Sequence, residues 1–170
     1  MVKKLPRDDR RANYIATDVD VDRAALAEHL RGRHRWVLST TRRDGRPQMS
    51  LVSGGMIADG RLAISTYPER VKVKNARRNP LVSVAVMGEE FNDAWVQIDG
   101  EAEVLDLPEA GDAFVEYYRC ISGEHPDWGE YRQAMADQGK CIILITPTRW
   151  SPLSTGGFPE SLFENGAQGV

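Results

Sequence analysis

Ser65, Thr66, Arg70 and Lys72 lie in one short stretch of this chain and combine two hydroxyls with two permanent or near-permanent cations. Hydroxyls, cations and the free N–H groups of a helix start can converge on one phosphate, because a helix N-terminus carries partial positive charge and unpaired donors. A phosphorylated ligand is the chemistry this stretch points to. The cations continue as Lys74, Arg77 and Arg78 with no acid between Arg70 and Arg78. The other reading of such a run is a solvated basic helix face, and spacing alone does not separate the two.

Other chemistries find less material. His29, His34 and His125 are far apart and form no local ligand pair, so no metal site is expected. There is no Gly-x-Ser-x-Gly elbow. Cys120 and Cys141 have no Cys-x-x-Cys spacing, and each falls where burial rather than a nearby cation sets its reactivity. Covalent catalysis is not expected, and no residue is singled out as catalytic; Tyr67, close to the phosphate-type cluster, is the nearest proton donor.

The elements that must position these residues are legible from periodicity. Residues 35–41 alternate with period two, Arg42-Arg43-Asp44-Gly45 reads as a hairpin turn, and 46–52 forms the return strand. Short strands follow at 56–57 and 61–66, punctuated by Gly54-Gly55 and Asp59-Gly60. Pro68 ends that run, and 69–78 reads as a short helix with Ser65 or Thr66 as its cap and Asn79-Pro80 as its stop. Strands are expected at 81–87, 94–104 and 140–146, with Val96, Ile98, Gly100, Ala102 and Val104 on one face of the second. Helices are expected after Asp20, after Pro108 and over 127–137. The expected architecture is mainly β: a six-stranded antiparallel split β-barrel with a few peripheral helices. A Rossmann fold is excluded by the lack of Gly-x-Gly-x-x-Gly after a strand.

Organisation and composition bound the rest. Residues 1–20 read as a polar arm, 21–153 as the barrel domain and 154–170 as a Gly/Pro-rich tail. Of 170 residues, 41% are hydrophobic and 28% charged, which places the chain among globular domains that hold a core without disulfides. With 22 basic against 25 acidic residues, neither nucleic acid nor an anionic membrane is an expected partner. The basic N-terminus lacks a following apolar segment, so a cytoplasmic location is expected.

Three motifs in order carry a family resemblance: Asp44-Gly45-Arg46-Pro47-Gln48-Met49-Ser50 on a strand, Ser65-Thr66 before a helix, and Arg70-Val71-Lys72-Val73-Lys74-Asn75 followed by Arg77-Arg78-Asn79-Pro80. From Trp36 to Trp150 the chain resembles the split β-barrel flavin/deazaflavin oxidoreductases, relatives of pyridoxamine 5′-phosphate oxidase, and within them the actinobacterial branch that uses coenzyme F420. The resemblance implies an F420-dependent reductase delivering hydride to a small activated or conjugated acceptor, with FMN as the alternative cofactor and a non-catalytic cofactor carrier as the alternative role. It implies that Arg70 and Lys72 hold the cofactor phosphate with Ser65 and Thr66 beside them, and that Val71 and Asn75 of the same motif belong to the cofactor-binding set. Pro47, Gln48, Met49 and Ser50 would line the tricyclic ring, which needs an apolar wall and a few oriented amides. Lys74, Arg77 or Arg78 would meet the longer anionic tail of a deazaflavin. The family also implies a homodimer with the cofactor at the interface, to which Trp95 and Trp150-Ser151-Pro152 could contribute. The tail Ser154-Thr155-Gly156-Gly157-Phe158-Pro159 has no Arg/His pair for a second phosphate, which disfavours vitamin B6 oxidation.

Overall fold

Strand alternation from residue 35 onward is realised as a seven-stranded antiparallel sheet in the computed structural model, which describes residues 3–164; residues 1–2 of the arm and 165–170 of the tail lie outside them. The strands, in chain order, are β1 (Thr17–Val19), β2 (Arg35–Thr41), β3 (Pro47–Ser53), β4 (Gly55–Met56), β5 (Leu62–Thr66), β6 (Leu81–Val86), β7 (Val96–Asp106), β8 (Cys141–Trp150) and β9 (Leu153–Thr155). The helices are α1 (Arg23–Leu30), α2 (Val71–Arg78), α3 (Gly111–Ser122) and α4 (Trp128–Asp137). The large sheet runs β3-β2-β6-β7-β8-β5-β4, one strand more than the six of the expected barrel, because the short strand expected at 56–57 forms as the two-residue β4 and extends one edge.

The two edge strands, β3 and β4, are consecutive in the chain and separated only by Gly54. The sheet therefore curls until its edges meet, which is the split barrel. Gly54 is required at that seam: a Cβ there would lie 2.1 Å from Cε3 of the buried Trp36 ring. The Asp44-Gly45 hairpin closes as expected, with Gly45 at φ 83° and Arg42 N–H bonded to Arg46 O at 2.8 Å.

One core fills the barrel, with Trp36, Leu38, Val84, Val96, Ile98 and Ile143 among its members. A second lies between the outer face of β5–β8 and helices α3 and α4, and includes Phe114, Tyr117, Tyr131, Ile142 and Leu144. The continuous apolar run Cys141 to Ile145 is explained by burial on both faces. Alternate residues of β8 thus point into different cores, and no second subunit is needed to cover it.

Three boundaries differ from expectation for local reasons. Asp22, not Asp20, caps α1, its carboxylate accepting the Ala25 N–H at 2.8 Å. Ser65 and Thr66 do not cap α2, because the turn from Tyr67 to Arg70 intervenes and Arg70 occupies the cap position without a side-chain bond. The last strand does not stop before Pro147: that residue sits in β8 opposite Gly100, at a register shift next to Asp99, where a residue lacking an N–H is tolerated. The arm and the described part of the tail pair with each other, β1 against β9, with Thr17 opposite Thr155.

Candidate functional site

Lys72 is the second residue of α2, so its amide is among the N–H groups left without helical partners and its side chain leaves from the positive end of the helix. That side chain is half-buried, and burial first, then the neighbouring charge of Arg70, pushes its pKa below the ordinary 10.5. Among the described residues it makes no ion pair. A partly desolvated cation without a counter-charge is stabilised by an arriving anion.

Lys72 and Ser65 share a pocket of ≈ 470 Å³. The end of β3 supplies Leu51, Val52 and Ser53 to its wall, and α3 supplies Tyr117, Tyr118 and Ile121. Tyr131 and Met135 of α4 and Lys140, just before β8, complete the other side. The Tyr117 hydroxyl donates to Ser53 O at 3.2 Å, joining α3 to the end of β3, and burial raises its pKa. The Tyr131 hydroxyl donates to Phe114 O at 3.2 Å, and burial pushes its pKa up to about 12. Both phenols therefore stay neutral, with their polar tips tied to backbone carbonyls.

A second group of expected site residues is joined elsewhere. Asn75 is buried; its amide donates to Thr40 Oγ1 at 3.1 Å and its carbonyl accepts from Arg78 at 2.9 Å. Thr40 donates to Gln48 Oε1 at 3.1 Å, and the Gln48 amide donates to Ser50 Oγ at 2.8 Å. This relay fastens α2 to the β2–β3 hairpin. Gln48 and Ser50 lean to the inner side of β3, whereas Pro47 and Met49 are exposed on its outer side, so the four do not form one wall.

Of the remaining expected residues, Thr66 is buried at the end of β5, while Arg70 and Val71 are exposed at the start of α2. The Tyr67 ring lies 5.9 Å from the Arg70 guanidinium carbon and 5.7 Å from Lys140 Nζ. Arg77 is paired with Asp106 at 2.6 Å and Arg78 is bonded to Thr41 O and Asn75, whereas the exposed Lys74 has no ion pair among the described residues. The Trp150 indole donates to Val21 O at 2.9 Å within the chain, and Trp95 pairs through its backbone with Ser154. Of the expected site residues only Ser65 and Lys72 line this pocket; those missed by sequence reasoning include Leu51, Val52 and Ser53 of β3 and Tyr117, Tyr118, Tyr131, Met135 and Lys140. The signal for the helical ones was the use of tyrosine rather than aliphatic residues on the inner faces of two successive helices; Lys140 had none.

Comparison with solved structures places this geometry among known folds. A conserved hypothetical protein from Mycobacterium tuberculosis is similar with a TM-score of 0.66 at 23% identity, covering 91% of this chain and 96% of that one. A protein described as an F420 reductase is similar with a TM-score of 0.54 at 24% identity, covering 73% of this chain and 94% of that one. A heme binding protein from Mycobacterium smegmatis is similar with a TM-score of 0.58 at 17% identity, over 82% of this chain and 60% of that one. At these identities the likeness shows the fold alone, and proteins with different ligands share it. The family model described as pyridoxamine 5′-phosphate oxidase matches residues 23–154, from the start of α1 to β9. The curled sheet, its seam at Gly54 and the extent of that match all agree: this chain belongs to the pyridoxamine 5′-phosphate oxidase family, among the split-barrel flavin/deazaflavin oxidoreductases.

Proposed function

We propose that this oxidoreductase is F420-dependent and transfers hydride from the reduced deazaflavin to a small activated or conjugated organic acceptor. The observation that carries this reading is Lys72: a half-buried cation at the start of α2, without an ion pair among the described residues and sharing a pocket with Ser65. The residues fit a phosphorylated flavin-like cofactor, since the pocket supplies donors for an anion and its lining contains no acid. Lys72, Ser65 and the first amides of α2 would hold the phosphate, with Arg70 and Lys74 at the solvent side. When bound, the deazaflavin supplies a two-electron hydride chemistry that no side chain of the protein can provide.

The protein's own contribution is position and dryness. Leu51 and Val52 offer an apolar edge, and Tyr117 holds the end of β3 against α3 so that the pocket keeps its shape. A homodimer belongs to this reading. Met49 is 68% and Leu51 84% exposed on edge strand β3, and Met87, just beyond the end of β6, lines one shallow cavity with Leu51. Such an apolar edge next to a cofactor site is suited to closure by a second copy.

Titration of the purified protein with F420 and with FMN in the same buffer tests the assignment. Tighter binding of F420 is expected; clear preference for FMN would transfer the reading to the alternative cofactor. Steady-state oxidation of reduced F420 with a panel of quinones and enones then tests turnover, and tight binding without turnover would identify a carrier.

A further inference from the structure

The pocket holds more positive charge than one phosphate site uses. Two lysines, Lys72 and Lys140, line it, and no aspartate or glutamate does. Lys72 leaves from the start of α2, whereas Lys140 stands between α4 and β8 with its ammonium over the Tyr67 ring and no ion pair among the described residues. Lys140 is flanked by the part of the pocket built from α3 and α4, where Tyr118, Tyr131, Ile121 and Met135 form the wall.

That wall is stiff and aromatic. Tyr118 and Tyr131 meet at 4.8 Å between ring centroids with their planes at 60°. Tyr118 is further braced by His125 at 5.2 Å and Trp128 at 5.8 Å, both edge-on, and Trp128 also meets Tyr131 at 5.8 Å. Tyr131, almost fully buried behind Tyr118, also lines the pocket, and its hydroxyl is already committed to Phe114 O. Preformed ring surfaces favour flat π-systems, whose edges and faces pack on them without reorganising the protein.

We propose that the α3–α4 side of this pocket is the acceptor site and takes a planar, conjugated molecule bearing a carboxylate, its ring against Tyr118 and Tyr131 and its anion on Lys140. This rests on the reading that Lys72 is engaged by the cofactor phosphate. The aromatic wall selects planarity, and Lys140 selects charge; an uncharged planar molecule forfeits the second interaction and leaves the ammonium without a counter-ion.

Calorimetric titration of the full chain with 2-naphthoate and with its uncharged amide, 2-naphthamide, tests the site. Wild-type protein is expected to bind the carboxylate about tenfold more tightly than the amide, the scale of one charge-assisted hydrogen bond. In Lys140→Met that preference disappears, and in Tyr118→Leu both probes weaken together. Equal binding of carboxylate and amide by the wild type, or no binding of either, overturns the proposal. The F420 titration of the same variants separates it from the cofactor assignment. Loss of F420 affinity in Lys140→Met as large as that in Lys72→Ala would make Lys140 part of the cofactor site and overturn the acceptor role. Retained carboxylate preference in a protein that binds no F420 would instead sink the cofactor reading and leave the site standing.

Discussion

Asn75 and Thr40, 35 residues apart, are joined at 3.1 Å in the buried seam between α2 and β2, the asparagine amide donating to the threonine hydroxyl. Thr40 is itself bonded to Gln48, so the helix that carries Lys72 and the hairpin that carries Met49 and Leu51 are held in one register. A residue expected to touch the cofactor thus acts as the bolt between two halves of the site.

Asn75→Ala removes the amide that donates to the buried Thr40 hydroxyl and one of the two acceptors of Arg78, which cuts the relay between α2 and β2. A loss of about 1–3 kcal/mol of unfolding free energy is expected. Urea denaturation checks it, and a variant as stable as the wild type would show that the relay contributes nothing net.

Lys72→Ala is expected to weaken F420 binding by about 1.5–3 kcal/mol while leaving apo-protein melting nearly unchanged. The pH profile gives a second readout. Burial lowers the Lys72 pKa below 10.5, so its charge disappears at a lower pH than that of an ordinary lysine as pH rises. Wild-type affinity should therefore decline on the alkaline side before an ordinary lysine would titrate, and the Lys72→Ala affinity should lack that decline. Matching profiles in the two proteins would place the phosphate elsewhere.

Leu51 stands 84% exposed on the edge strand, and the proposed dimer covers it. Leu51→Lys is expected to shift the protein from dimer to monomer in light scattering at micromolar concentration, because a charge on a covered apolar edge is costly to desolvate. A wild-type protein that is already monomeric with saturating cofactor refutes the shared site.

His29 contributes acid sensitivity. Its Nε2 is buried without a hydrogen-bond partner among the described residues, and burial first, then Arg33, lowers its pKa below 6.5. The unfolded chain consequently binds a proton that the folded chain resists, so stability rises with pH across that window and is lost as pH falls below about 6.5. His29→Gln should lose less stability than the wild type between about pH 7 and about pH 5 in paired urea titrations. An identical loss in both proteins would assign the acid sensitivity to other groups.

Strand and helix identity was written in the sequence because each depends on neighbours in the chain. The period-two pattern of 35–41, the Asp44-Gly45 turn and a helix over 127–137 follow from local sterics and hydrogen bonding, and all appear in the structure, where Asp127 caps α4. The ordered motifs from Asp44 to Pro80 were enough for the family. What the chain order could not determine was which charges remain unpaired. Arg77 meets Asp106 and Arg78 meets Thr41 O only because the barrel brings β7 and β2 beside α2. Lys140, distant in sequence from Lys72, enters the same pocket for the same reason. Pairing and burial are long-range properties, set by the curl of the sheet, and they alone separate a solvated basic run from a site.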